Sequence, residues 1–483
     1  MSYVTLLLLL TASVSPGRKF YVSPGGDDSA SGLSVRSSWK TLQRVSRSDL
    51  RGGDEVILQG DAIYPGPLVL KGGDLAGAVT VRSQGKAAVI ESSIEPAITL
   101  SRSNVILKNL ELKSEPKGAQ PPNIGILMEN DGTTPLRNVS VSGVKVSGFG
   151  GSGIALVGKT QGFHCVKIAK VVVARCKGTG LTSDDALAYK GNGYAHRDLL
   201  VTDSEFNENG SSSGIVLSGI DGARVEFCRA AGNAGGNGGL GMWAWAAKNV
   251  TFRYCVSSGT RTIDADGGGF DLDGGCVDCV VEHCLSFDNN ACGYMHCDYP
   301  DSPPTKHNVI RDSVSIDDGA RKGKAAPSAF GFVNWGSGLE DCMIEGNIAI
   351  ITDGYPSQSD GGALFATFIL NKEDKNHKPH IVGCAFIGNT VDIAKGVSID
   401  NSYPESSLKN IAFQGNRYRC NPFIAKQGET RFTELSKWEQ ATGQGPDSMQ
   451  RGAPIGRQFG DYSGLTPRQL PKFLKSLSSK LGG

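Results

Sequence analysis

Asp264, Asp266, Asp271 and Asp273 put four carboxylates into ten residues, in the run Asp264-Ala-Asp-Gly-Gly-Gly-Phe-Asp-Leu-Asp273. Carboxylate oxygens at that density either hold a hard cation, calcium above all, or move protons as a general acid and base. Both uses need a frame that keeps like charges together. A short strand between glycine turns is such a frame, because successive side chains leave opposite faces. Phe270 and Leu272 then point one way, and Asp271 and Asp273 share the other, expected to be the solvent face.

That frame is repeated along the chain. A glycine followed by alternating residues recurs as Gly153-Ile-Ala-Leu-Val157, Gly214-Ile-Val-Leu-Ser218, Gly241-Met-Trp-Ala-Trp245, Gly269-Phe-Asp-Leu-Asp273, Gly293-Tyr-Met-His-Cys297, Gly331-Phe-Val-Asn-Trp335 and Gly396-Val-Ser-Ile-Asp400. The first and third residues after each glycine are mostly apolar, as a buried face demands, while the second and fourth vary. A second series of short strands ends at Cys176, Ser204, Cys228, Cys255, Cys284 and Ser313, about 24 to 29 residues apart. One repeat per turn of a β-solenoid has that period. Coils of a parallel sheet lie about 4.8 Å apart, so the outward residues form columns: Trp243 and Trp245, then Asp271 and Asp273, then Met295 and Cys297, then Val333 and Trp335. Indole faces complement the apolar faces of sugar rings. Trp243, Trp245 and Trp335 flanking a carboxylate pair outline a polysaccharide groove; the alternative is that the indoles pack under loops and the acids cap turn backbone.

The 483 residues are ample for a large core, and the 65 glycines imply many tight turns. The formal charge of +1 gives no reason to expect a nucleic-acid or membrane-surface partner. Residues 1–15 carry an apolar run, Leu6 to Leu10, too short to span a bilayer, and read as a secretory signal on a soluble, secreted (extracellular or periplasmic) chain expected to act as a monomer. Twelve cysteines would then suggest disulfides. The spacing instead puts Cys176, Cys228, Cys255 and Cys284 in an internal ladder of thiols. Cys276, Cys279, Cys292 and Cys297 could pair on the surface, or join Cys284, His283 and His296 around zinc, although His296 and Cys284 fall inward and Cys297 outward.

The opening segment has Phe20-Tyr-Val-Ser-Pro-Gly-Gly-Asp-Asp28, Trp39-Lys-Thr-Leu42, Gly53-Asp-Glu-Val56 and Tyr64. It reads as a strand, a short helix carrying Trp39, Leu42 and Val45, and a second strand. This combination resembles the start of secreted right-handed parallel β-helix proteins of the pectate-lyase-like superfamily, among their polysaccharide-active members. The resemblance implies a single-stranded right-handed parallel β-helix of the all-β class: a cap and first coils at 16–95, the solenoid at 96–425, and a helical tail at 426–483 covering the open end.

The Asp-Ala-Asp-Gly and Gly-Phe-Asp-Leu run also resembles the calcium segment of family 9 pectate lyases. It implies calcium on Asp264, Asp266, Asp271 and Asp273 and β-elimination from an acidic polysaccharide, with a base from the following loop, where Lys306, Arg321, Lys322 and Lys324 stand. The next coil departs from that pattern, with Asn289-Asn-Ala-Cys-Gly293 in place of further aspartates. An inverting glycosidase needs only two carboxyls about 6.5 to 9.5 Å apart, which Asp271 and Asp273, two apart on a strand, could supply. The polygalacturonase signatures are missing, Ser183-Asp-Asp185 being a partial echo, so the lyase ranks ahead. A non-catalytic glycan-binding or adhesion solenoid is the rival of a different class.

Overall fold

A computed structural model describes residues 17–481 apart from 73–76, 115–122, 185, 190, 211–212, 236–237, 263–266, 299–300, 320–327, 335, 353–362, 370–379, 394–395, 402–410, 421, 451, 453 and 456–460. The signal reading at 1–15, Asp264, Asp266, Arg321, Lys322, Lys324 and Trp335 therefore lie outside the described residues.

Each repeat contributes one strand to each of three long sheets, and the strands pair in parallel along the solenoid until the last pair of the third sheet, Ala425–Gln427 with Thr430–Phe432, which is antiparallel. One coil runs from Lys248–Arg253 in the first sheet through Val256–Ser258 in the second to Phe270–Leu272 in the third, then returns to the first at Val280–Glu282. Fourteen strands stack in each sheet among the described residues. The inward residues match coil on coil: Phe270 pairs with Tyr294 and Tyr294 with Phe330. Their rings stack at 5.1 and 4.9 Å, close to the strand repeat itself. His296, one of the candidate zinc ligands, lies in the same core, stacked on Phe332 at 5.5 Å.

The recurring glycine marks a crowded corner. A Cβ at Gly241 would collide with the Ser257 hydroxyl, and one at Gly269 with that of Ser286, both belonging to the second sheet. The repeat also slips by two residues at Gly331 and, the other way, at Gly396, where Ile399 and not Val397 is opposite Phe365. Tyr294 is opposite Phe330 and His296 opposite Phe332, so Ala329 stands where the glycine is expected and Gly331 is opposite Met295. The expected pairing of Val333 with Met295 is corrected to Val333 with Cys297. A slip of two residues keeps every side chain on its face, so the alternation in the sequence cannot reveal it.

Between the first and second sheets the corner amides are satisfied by the next coil. The Cys255 amide donates to the Cys284 sulfur at 3.4 Å, the Cys284 amide to the Ser313 hydroxyl at 3.1 Å, and the Ser313 amide to Asn347 Oδ1 at 2.9 Å. Asn347 and Asn389 continue the chain onto Asn389 and Asn416, each at 2.9 Å. Cys228, Cys255 and Cys284 are thus ladder thiols as expected, but Cys176 is not one of them. It lies at the corner between the second and third sheets, where its amide donates to Asn209 and that of Asn209 to Asn233. All twelve cysteines are free thiols, and all but Cys165 are buried.

At the start, Lys19–Val22, a helix Leu42–Ser46 and Glu55–Gln59 appear as the spacing predicts, with Trp39, Leu42 and Val45 buried. The two C-terminal helices part company. Helix Leu435–Thr442 covers the end, its buried Trp438 edge-on to Phe413 at 5.5 Å, and stops at Gly443 in the left-handed region. Helix Leu470–Lys480 instead lies along the flank of the solenoid, where Leu470, Leu477 and Leu481 cover Val256, Leu285, Val314 and Ile348 of the second sheet. Those four outward positions are apolar, and the tail is their cover. No described helix is long and apolar enough to cross a membrane.

Candidate active site

The third sheet positions the candidate residues. Val216, Trp243, Asp271, Met295 and Gly331 occupy one register position on successive coils. Ser218 and Trp245 share the parallel position two residues on, as do Cys297 and Val333. Asp271 and Asp273 leave the face opposite to Phe270 and Leu272, as the alternation requires. One carboxylate oxygen of each and the Cys297 sulfur lie within 4.8 Å of one another.

The expected open solvent face is corrected by burial. Asp271 is 1% exposed, and the residues beyond it are as enclosed: Met295 at 7%, Cys297 at 5% and Val333 at 2%. They form an outer apolar cluster with Leu240 and Cys292, against which Trp243 packs. Gly268 makes room for it, because a Cβ there would strike the Leu240 side chain. Burial pushes the Cys292 thiol up to about 12, and the charges of Asp271 and Asp318 push the same way against a hydrogen bond with Ser328. It is a packing group and not a nucleophile.

Trp243 and Trp245 keep part of their surface exposed, as does Asp273. The Trp243 indole N–H donates to the Ser213 hydroxyl at 2.8 Å, and the Leu240 amide donates to the same oxygen at 3.0 Å. Ser213, fully buried, thereby fixes the indole. Asp273 Oδ1 accepts the Gly274 amide at 2.6 Å. Asp271 is therefore the enclosed acid of the pair and Asp273 the one at the rim.

Other expected members are placed elsewhere. Lys306 lies in a separate small sheet, its ammonium 2.7 Å from Glu340 on the next coil. The thiols and histidines considered for zinc do not converge; among the described residues the group able to hold a metal is Asp271, Asp273 and Cys297. Two carboxylates and a thiol do not make the cage of six to eight oxygens that calcium takes, and Asp264 and Asp266 lie outside the described residues. Sequence reasoning missed Ser213, Leu240, Cys292 and the enclosing role of Met295, Cys297 and Val333. Cys297 alone had a signal, as the fourth residue after Gly293, where Asp273 is the fourth after Gly269.

A family profile described as the right handed beta helix region matches residues 124–310. The chain is a right-handed parallel β-helix protein. Among solved structures it is similar to the GH136 lacto-N-biosidase from Eubacterium ramulus, at 16% identity over 77% of this chain and 68% of that one, with a TM-score of 0.59. It is also similar to the A-module of the Azotobacter vinelandii mannuronan C-5 epimerase AlgE4, at 14% identity over 73% and 89%, TM-score 0.51. A third is the catalytic unit of the GH87 alpha-1,3-glucanase from Streptomyces thermodiastaticus, at 14% identity over 77% and 64%, TM-score 0.51. At these identities the likeness is one of fold. No curated protein sequence matches.

Proposed function

We propose that this is a polysaccharide-active enzyme that hydrolyses a glycosidic bond with Asp271 as general acid and Asp273 as nucleophile. The observation that carries the reading is the separation of the two acids, whose oxygens lie within 4.8 Å. Inverting glycosidases hold their carboxyls about 6.5 to 9.5 Å apart to admit water, while retaining ones hold them about 5 to 5.5 Å apart. One oxygen of each acid within 4.8 Å of the other is in keeping with the retaining spacing. It disfavours the inverting geometry that strand spacing alone suggested.

The roles follow from the surroundings. Asp271, the enclosed acid at 1% exposure, is assigned the general-acid role, and Asp273, at the rim, that of the nucleophile. Asp271 then protonates the leaving oxygen while Asp273 attacks the anomeric carbon. Water next cleaves the glycosyl ester, and Asp271, now a carboxylate, takes its proton. Trp243 and Trp245, on the neighbouring coil, are the sugar-stacking surfaces.

The lyase reading would place calcium on Asp264, Asp266, Asp271 and Asp273 and a base at Lys306 or Lys322. It is less well supported, because Lys306 is engaged by Glu340 and Cys297 takes a place where calcium would want oxygen. Two of the similar structures are titled as a lacto-N-biosidase and a glucanase, which is in keeping with hydrolysis. A leading secretory signal would put such an enzyme outside the cell. The test is incubation with neutral and acidic glycans, with and without chelator. Saturated products with retained anomeric configuration, unaffected by chelator, are expected; unsaturated products lost on chelation would replace this reading with the lyase.

A further inference from the structure

Along the solenoid axis the two sides of the acid pair differ. Toward the N-terminus the next outward residues are Trp243 and Trp245, both partly exposed and presenting ring surface. Toward the C-terminus the next are Met295 and Cys297, then Gly331 and Val333, all buried. The far side is also braced. Asp298, following Cys297, is fully buried and accepts the Asn334 amide group at 2.6 Å, the Gly336 amide at 3.2 Å and the Gly338 amide at 2.6 Å. The Thr305 hydroxyl donates to the Cys297 carbonyl at 3.0 Å. These contacts tie the end of the Met295 strand to the coil that follows it.

A glycan chain that ran through the site would need surface for sugars on both sides of the scissile bond. Among the described residues the tryptophan side alone offers it, while the other presents the enclosed methionine, thiol and valine positions. From this asymmetry we infer that the site is blind toward the C-terminal coils and that the enzyme acts on chain ends, releasing a short terminal unit instead of cutting within the chain. The inference rests on the hydrolase reading above and specifies its substrate as a glycan terminus.

The experiment is a time course on oligosaccharides labelled at the reducing end, with unlabelled polymer run in parallel for viscosity. One short product from the first turnover, with viscosity falling only in proportion to reducing ends released, is the expected result. A ladder of intermediate products with an early collapse of viscosity would overturn chain-end action while leaving hydrolysis standing. No cleavage of any glycan would instead remove the hydrolase reading, and this inference with it. The variant Met295→Ala Val333→Ala thins the wall, and where it stays folded by circular dichroism it should release longer products than the native enzyme. An unchanged product length in the folded variant would show that these side chains do not set the stop.

Discussion

Trp243 and Asp271 stand opposite each other across one step of a parallel sheet, the indole anchored by Ser213 and the carboxyl enclosed beneath the apolar cluster that the same indole packs against. An indole with part of its surface exposed and a buried carboxyl are thereby held about one strand spacing apart. Neither side chain has to move to meet the other.

Removing either acid should abolish turnover without unfolding the coil. Asp271→Asn and Asp273→Asn are each expected to lower kcat by roughly 10²- to 10⁴-fold, the range for losing a positioned acid or base. Added azide should restore product formation in Asp273→Asn with inverted configuration. Full activity in either variant, with native circular dichroism, would take that residue out of the reaction.

Trp243→Ala should act on binding more than on chemistry. Losing one stacked ring costs about 1.4 kcal/mol, or a roughly tenfold rise in KM with kcat changed much less. A variant in which kcat falls and KM stays constant would argue that the indole serves the enclosure of Asp271 instead of the sugar.

Two buried groups give opposite slopes of stability with pH. Asp318, held inside the coil by Ser315 and Asn289, is pushed by burial up to about 7 from 3.8. The folded chain keeps a proton that the unfolded chain has released, so this contribution is complete below about pH 4 and is lost as pH rises through about 7. His296 is pushed down by burial to about 4 from 6.5, so its contribution is present above pH 6.5 and disappears as pH falls toward 4. Asp318→Asn should therefore gain stability relative to the native chain as pH climbs from 4 to 7. His296→Phe, which can keep the stack on Phe332, should gain relative to it as pH falls from 6.5 to 4. Urea midpoints at four pH values in that range test both, and differences that are flat with pH would contradict the assigned cause.

The thiols provide a separate test of the fold. Of twelve cysteines only Cys165 is exposed, so a chromogenic disulfide reagent should titrate one thiol quickly in native protein and the remaining eleven only in denaturant. Fewer than twelve in denaturant without reductant would reveal a disulfide that the free thiols exclude.

How much of this was readable beforehand differs by level. The alternation in Gly269-Phe-Asp-Leu-Asp273 was enough to place Phe270 inside and Asp271 outside, and the spacing of Cys228, Cys255 and Cys284 was enough to stack them. Both are local patterns repeated at a fixed period. What they could not convey is the cover. Asp271 is outward and yet buried, and Leu240, Cys292, Met295, Cys297 and Val333 meet in an outer cluster drawn from three coils; no periodicity within one coil encodes that meeting. The slip at Gly331 was hidden because a shift of two preserves alternation. The flank helix was misplaced because its leucine stripe is equally suited to an open end, and only the outward Val256, Leu285, Val314 and Ile348 distinguish the two.

The corner ladder has a consequence for how such a chain can change length. Each corner amide is completed by a side chain one turn further on, so a coil removed or added whole leaves every donor with an acceptor, whereas a fraction of a coil would leave a file of them facing the wrong neighbour. Gain or loss of material in this architecture is thus quantised in complete turns, except where it bulges out between strands, and the rung bearing Asp271 and Asp273 can shift in distance from either terminus without any change in its own surroundings.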